Sequence, residues 1–326
     1  MIAEELITKN KRSETGEIIV TLFEFCDLNC IFCNQDHNSI VGIDKINEKI
    51  NSIKSAIKSL KQKGKKNFSI NIMGGEVFSD KIEDKIFIEY HNLVKDIKTL
   101  PEDITISFVT NFVFEKKERV QEFLEKNKDV MLMSSYDPSG RFNEKNIKIF
   151  EENIKFFKNK IVSFNVIMTK KSIEKFMKND IPVFDYIYKN FDVYFDYYTP
   201  QENSELLLPK DFELRDFMKL ILDKYPKCKP FDKFKDKMKK SMSCMDTFTI
   251  MPNGEYGMCN ILLTNFDNMK TTKAEMEQKW FDDYNCLECK HFSRCSMGCF
   301  LSNHLNSFRT QEACWLSEVY DYVDKK

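Results

Sequence analysis

Three cysteines fall within eight residues, Cys26-Asp-Leu-Asn-Cys30-Ile-Phe-Cys33. Metals bind the thiolate, so the spacing asks first which metal these residues would hold. Structural zinc closes on four ligands. No fourth cysteine or histidine has suitable spacing, and His37 is the only neighbour that could serve. A [4Fe–4S] cluster also takes four ligands, so three thiolates leave one iron open to a substrate or cofactor. The donor set fits that design better than zinc.

A second group of thiols lies further along: Cys228, Cys244, Cys259, Cys286, Cys289, Cys295, Cys299 and Cys314, eight of the eleven cysteines. A zinc ribbon on Cys286, Cys289, Cys295 and Cys299 is one reading. It leaves Cys244, Cys259 and Cys314 unexplained. The segment has few long apolar runs, so bound metal is expected to order it.

Compartment decides how such cysteines are read. The opening MIAEELITKNKRSETGE lacks the apolar run of a signal peptide. No stretch approaches the ~18 apolar residues of a membrane-spanning helix. A cytoplasmic location with no membrane partner is therefore expected, where thiols stay reduced and clustered cysteines point to metal or redox chemistry. The 326 residues allow one large domain and a small one, and 42% hydrophobic with 31% charged is ordinary for a globular chain. Lys+Arg 50 against Asp+Glu 51, a net charge of −1, gives no electrostatic case for nucleic acid.

The elements that must position these residues are six short runs rich in β-branched and aromatic side chains, over 18–25, 68–73, 104–109, 130–134, 161–168 and 193–198. Helical periods separate them. The clearest is Ile46, Ile50, Ile53, Ile57 and Leu60, followed by Ile86, Tyr90, Leu93 and Ile97 after the second strand. Ile147, Phe150, Ile154 and Phe157 follow the fourth strand, and Leu214, Phe217 and Ile221 the sixth; Pro182 interrupts the helix after the fifth. Six alternating units predict a parallel sheet with right-handed crossovers. No strand is predicted after the sixth. The first cysteine loop then lies at the carboxyl end of the first strand, where β/α folds place their active sites.

Cys26, Cys30, Phe32 and Cys33 match every position of C-x3-C-x-φ-C, and the sequence resembles the radical S-adenosylmethionine (SAM) superfamily. Met73-Gly74-Gly75-Glu76, after the second strand, is similar to the family's Gly-Gly-Glu motif, which receives the amino group of SAM. Glycines let backbone approach a ligand, and a carboxylate accepts from an ammonium. Val109-Thr110-Asn111 resembles the Thr-Asn-Gly segment near the ribose, with Phe112 where glycine is usual. Ser135-Tyr136-Asp137 resembles a Ser-φ-Asp segment, which implies that Ser135 contacts SAM and that Asp137 lies toward substrate as a candidate catalytic group. By residue type alone, Asp137-Pro138-Ser139-Gly140 reads as a turn. The resemblance implies an α/β fold, a partial (β/α)6 TIM-type barrel with a small C-terminal cysteine-rich iron–sulfur domain. It also implies a reaction: one electron cleaves SAM to methionine and a 5′-deoxyadenosyl radical, which takes a hydrogen atom from substrate.

The order Cys244-x9-Gly254-x4-Cys259, Cys286-x2-Cys289-x5-Cys295-x3-Cys299, Cys314 is similar to the SPASM domain of many peptide-modifying members. The expected division is a radical SAM core over 1–205, a helical linker over 206–243 and a SPASM-type domain over 244–326. In members with two auxiliary [4Fe–4S] clusters the ligands interleave. That implies Cys244, Cys259 and Cys299 for the first cluster, with Cys228 as its possible fourth ligand. Cys286, Cys289, Cys295 and Cys314 would hold the second.

The resemblance implies modification of a peptide or protein side chain, by oxidation or cross-linking, with flavodoxin or ferredoxin as the electron donor. The alternative is a dehydrogenase of a small hydroxylated metabolite, whose tail is usually shorter. Asn260 stands where sulfatase-maturing members carry an aspartate, which argues against that activity. Only about seventeen residues precede the first strand, too few for a leader-binding domain of winged-helix type.

Overall fold

Runs of Ile, Val and Phe form strands here because each has one face to bury under helices. The structure is a computed structural model, and it describes residues 14–199, 205–229, 247–257, 273–292, 294–295, 299, 302 and 314–326. The strands are β1 (Thr15–Thr21), β2 (Asn67–Met73), β3 (Asp103–Val109), β4 (Met131–Ser135), β5 (Ile161–Met168) and β6 (Asp192–Tyr197). They pair in sequence order and in parallel, forming a curled half-barrel. Ile18, Val20, Phe68, Ile70, Ile72, Phe108, Leu132 and Phe164 are buried on one face. The alternate positions, Glu17, Ile19, Asn71, Met73, Asn165 and Asp196 among them, face the hollow.

The helices are α1 (Lys49–Gln62), α2 (Asp84–Lys98), α3 (Lys117–Lys126), α4 (Glu144–Phe156), α5 (Lys170–Met177), α6 (Phe184–Asn190), α7 (Asp211–Lys224), α8 (Lys273–Asp283) and α9 (Trp315–Asp324). Helices whose period was read bury most of that stripe: Ile53, Ile57 and Leu60 on α1, with Ile50 partly buried; Ile86, Tyr90, Leu93 and Ile97 on α2; Leu214, Phe217 and Ile221 on α7. The helix interrupted by Pro182 is two helices, α5 and α6, with Val183 at φ +68° between them.

Two boundaries differ from the sequence expectation. The first strand stops at Thr21 rather than residue 25, because residues 22–25 bond a turn instead of continuing the ladder. Gly75 donates to Phe23 O at 3.0 Å and Glu76 to Phe25 O at 2.8 Å. The second difference is a pair of strands in the tail, β7 (Thr247–Ile250) and β8 (Tyr256–Gly257). β7 runs parallel to β1, from Glu17 opposite Thr247 to Val20 opposite Ile250. Four residues carry too little period to read, and the strand exists because β1 would otherwise leave an open edge. Lys49 of α1, 4% exposed, fixes the β7–β8 turn by donating to Met251 O at 2.9 Å and Pro252 O at 2.7 Å. At the far edge, Lys229 bonds β6 through Val193 O at 2.7 Å and Phe195 N at 2.9 Å.

Candidate active site

Cys26, Cys30 and Cys33 sit on the loop after β1, and the turn closes through Cys33 N donating to Cys30 O at 3.0 Å. A cavity of about 390 Å³ opens at the carboxyl ends of the strands. It is lined by eight of the residues expected from sequence: Cys26, Cys30, Phe32, Cys33, Gly74, Gly75, Asn111 and Ser135. His37 lines it as well. Burial pushes the Cys26 thiol up to about 12, with a further contribution from Glu76, and raises Cys30 and Cys33 too. Thiols so placed stay protonated unless a metal holds them as thiolates.

The donor set fits a cluster. Tetrahedral Zn–S bonds of about 2.3 Å would put sulfurs about 3.8 Å apart. Among the described residues no three cysteine sulfurs lie within 4.8 Å of one another. Three thiols on one loop, all lining the cavity, can supply three corners of a multi-iron group, and the cavity supplies room on the fourth side.

Gly75 is required by the protein itself. A Cβ there would lie 2.1 Å from both Glu24 O and Phe25 O, so the turn presses on the backbone leading into Cys26. Glu76 is 0% exposed and does not line the cavity. Its Oε1 accepts from Phe78 N at 2.9 Å and Thr110 Oγ1 at 2.7 Å, and its Oε2 from Asn111 N at 2.6 Å. Burial pushes its carboxyl up to about 7, against these three donors, which favour the ionised form. Glu76 therefore joins the end of β2 to the end of β3. Glu76→Gln turns an amide N–H toward at least one of these donors, and we expect a loss of about 1–3 kcal/mol in urea unfolding.

Asn111 reaches both ways: its Nδ2 lies 3.8 Å from Cys26 Sγ, and its Oδ1 accepts from Val113 N at 2.6 Å. Phe112, standing where the resemblance expects glycine, keeps a left-handed backbone at φ +56°. Its ring is fully buried, 6.2 Å from Phe114 and 6.2 Å from Phe157. Asn153 of α4 holds the strained segment by donating to Phe112 O at 2.9 Å and Phe114 O at 2.8 Å. Phe112→Ala should cost about 3–5 kcal/mol. Phe112→Gly should cost about 1 kcal/mol less, because glycine alone relieves the backbone. Denaturation midpoints in the opposite order would show that this φ carries no strain.

At the end of β4 the two expected residues part ways. Ser135 lines the cavity, whereas Asp137 is 1% exposed and does not. Its Oδ1 accepts from Ser139 N at 2.7 Å, Ser139 Oγ at 2.8 Å and Gly140 N at 3.0 Å. That is an Asx turn, the reading its residue types gave, and it engages Oδ1 alone, while Oδ2 is buried with no hydrogen-bond partner. The turn presents Arg141, which the sequence reading did not single out. Arg141 lines the cavity, donates to Ser135 O at 2.9 Å and lies 5.6 Å from the Phe32 ring centroid. Its charge offsets part of the burial that raises Cys30. A Ser-Gly-Arg run after a turn carries no signal that could have found it.

In the tail, burial and then Cys314, Cys295 and Cys289, in that order, push the Cys286 thiol up to about 12. These four cysteines thus share one neighbourhood beside α9, which Cys314 precedes as N-cap and where Cys289 Sγ lies 4.0 Å from Ser317 Oγ. Cys299 Sγ lies 3.8 Å from Thr199 Oγ1, and Cys299 packs against the same core as Cys295 and Cys314. Cys228 is 1% exposed, in the apolar core near Tyr225. Cys244 and Cys259 fall outside the described residues. His291 is buried against Asp321, its Nε2 2.6 Å from Oδ1, and stacks on Tyr320. Tyr197, at the end of β6, lines the central cavity and lies 6.0 Å from Trp315. Among the described residues no helix is long and apolar enough to cross a membrane.

No protein-family model matches the sequence, and no curated protein does either. Solved structures share the fold. SuiB of Streptococcus suis is 19% identical, with a TM-score of 0.52, over 91% of this chain and 75% of that one. The anSMEcpe structure with bound AdoMet is 14% identical, with a TM-score of 0.61, over 95% of this chain and 97% of that one. A structure of anSMEcpe with AdoMet and the Cp18Cys peptide is 15% identical, with a TM-score of 0.57, over 95% and 97%. The half-barrel implied by the motif resemblance is thus the fold the chain has.

Proposed function

We infer that this chain is a radical SAM enzyme with a SPASM-type tail, and that it modifies a side chain of a peptide or protein. One observation carries the reading: Cys26, Cys30 and Cys33 line a single cavity with Gly74, Gly75, Asn111 and Ser135, in a fold shared with a protein solved with AdoMet bound. A [4Fe–4S] cluster on the three thiolates would supply the electron that splits SAM into methionine and a 5′-deoxyadenosyl radical, which takes a hydrogen atom from substrate. The residues around it do the positioning. Gly74 and Gly75 offer backbone to the amino acid end of SAM, Glu76 fixes that turn to the Asn111 loop, and Asn111 and Ser135 face the nucleoside. Phe32 and the apolar side chains lining the cavity, Leu28, Met133 and Ile167 among them, keep water from the radical.

A peptide substrate is supported by two relatives in fold, SuiB solved with the precursor peptide SuiA and anSMEcpe solved with the Cp18Cys peptide. The neighbourhood of Cys286, Cys289, Cys295 and Cys314 supports an auxiliary cluster, a route by which an electron could leave an oxidised product. The domain division at residue 244, cytoplasmic location and a flavodoxin or ferredoxin donor belong to the same proposal. The test is anaerobic reconstitution followed by SAM and a reductant. About twelve irons per chain are expected for three clusters, and 5′-deoxyadenosine should be released. About four irons would remove the auxiliary clusters; no 5′-deoxyadenosine would remove the enzyme.

A further inference from the structure

Three consecutive residues at the end of β6 connect the central cavity to the tail. Tyr197, Tyr198 and Thr199 all line the cavity that holds Cys26, Cys30 and Cys33. Tyr197 and Tyr198 also line a second, narrow cavity together with Cys299, Ser302 and Trp315. Burial, then Cys295, Tyr320, Cys299 and Cys314 in that order, push the Tyr197 hydroxyl well above its ordinary value, so the tail thiols act across this wall. Ser302 Oγ donates to Tyr198 O at 2.7 Å, which ties the chain just past Cys299 to the strand end. Ser302 N donates to Cys299 Sγ at 3.4 Å, and the hydroxyl of Thr199, a residue only 7% exposed, lies 3.8 Å from the same sulfur. Trp315, 2% exposed on the wall of the second cavity, carries an indole Nε1–H with no hydrogen-bond partner among the described residues.

A buried N–H without an acceptor is rare enough to need a reason, and an acceptor bound in the same cavity is one. A free Cys299 thiol can give or accept a hydrogen bond with Thr199; bound to iron it is a thiolate and only accepts. We propose that Thr199 and Trp315 are positioning residues for an iron–sulfur centre ligated by Cys299. Each donates a hydrogen bond to the sulfurs of that centre, and together they raise the potential at which it accepts an electron from the central cavity. The inference rests on the auxiliary-cluster reading above and assigns residues to it. In that reading the substrate C–H gives a hydrogen atom to the 5′-deoxyadenosyl radical. The carbon radical then loses one proton to water and one electron to the oxidised centre, which becomes its one-electron reduced form. That form carries one more negative charge, so hydrogen-bond donors stabilise it more than the oxidised form. Thr199 is placed for this because it is a wall of the central cavity and a partner of Cys299 at once.

The test is a redox titration followed by electron paramagnetic resonance on the full chain. It is reconstituted anaerobically in a Cys26→Ala, Cys30→Ala, Cys33→Ala background, so that only tail iron remains. The signal to follow is the one that Cys299→Ala removes. Thr199→Val, nearly isosteric, should weaken reduction of that centre at least about tenfold, a fall of about 59 mV for one electron, with iron content unchanged. Thr199→Ser should keep the potential of the unsubstituted residue. Trp315→Phe, which keeps a ring and loses the N–H, should lower it in the same sense as Thr199→Val. An unshifted potential in Thr199→Val or in Trp315→Phe overturns the inference. So does a Thr199→Ser centre that falls as far as Thr199→Val, or a tail signal that Cys299→Ala leaves intact. No iron in the tail overturns the auxiliary reading and this inference with it, whereas tail iron with an unshifted potential overturns this inference alone.

Discussion

Cys30→Ala should lower 5′-deoxyadenosine release by at least about 10³-fold, equivalent to about 4 kcal/mol of barrier. Cys30 is 8% exposed and lies on a loop whose backbone bond to Cys33 does not need the thiol. On the proposed function the variant should fold and keep whatever iron the tail holds while losing about four irons. Three thiolates would leave one corner of a cluster to SAM, and two would leave a second corner to water. Iron content and product release should fall together, with circular dichroism unchanged. Product release at the wild-type rate would show that the reduction of SAM does not pass through this loop.

Gly75→Ala should be severely damaging, costing more than about 3 kcal/mol. The added carbon would meet two carbonyl oxygens, Glu24 O and Phe25 O, each at 2.1 Å. Neither can yield cheaply, because the N–H groups of Gly75 and Glu76 bond this same segment and Glu76 is tied to Thr110 and Asn111. Relief would have to move the cysteine loop, so the surviving protein should also assemble its cluster poorly. Gly74→Ala is the comparison: its nearest contacts are Phe23 Cε2 and Phe23 O at 3.1 Å. It should cost less. Chemical unfolding of both variants checks the order, and a Gly75→Ala protein as stable as the wild type would contradict the packing argument.

Much of the site was readable before the fold. Thiol spacing is a local property, so Cys26-x3-Cys30-x2-Cys33 could be read as one group, which the structure places on one cavity, and the periods of 2 and 3.6 stated the order of the six strands and the helices between them. What periodicity could not carry was any feature made by distant partners. β7 forms because β1 has a free edge, and residues 22–25 leave the ladder because a turn fifty residues on competes for their carbonyls. Asp137 could be read as a turn or as a catalytic acid, and the Ser139 and Gly140 bonds to its carboxylate that make the turn appear only in the structure.

The sequence by itself determined the chemistry on offer: three thiolates for a cluster with an open corner, a Gly-Gly-Glu turn and a cysteine-rich tail. Tertiary structure alone decided what surrounds them. It turned Glu76 inward to join two loops, brought Arg141 beside Cys30, and gathered Cys286, Cys289, Cys295 and Cys314 beside α9. It also brought Glu17 and Asp196 into one hollow from residues far apart in the chain. The reason is physical: residue identity and spacing are written along the backbone, whereas burial, charge balance and convergence exist only once the sheet has curled and β1 and β6 share a cavity.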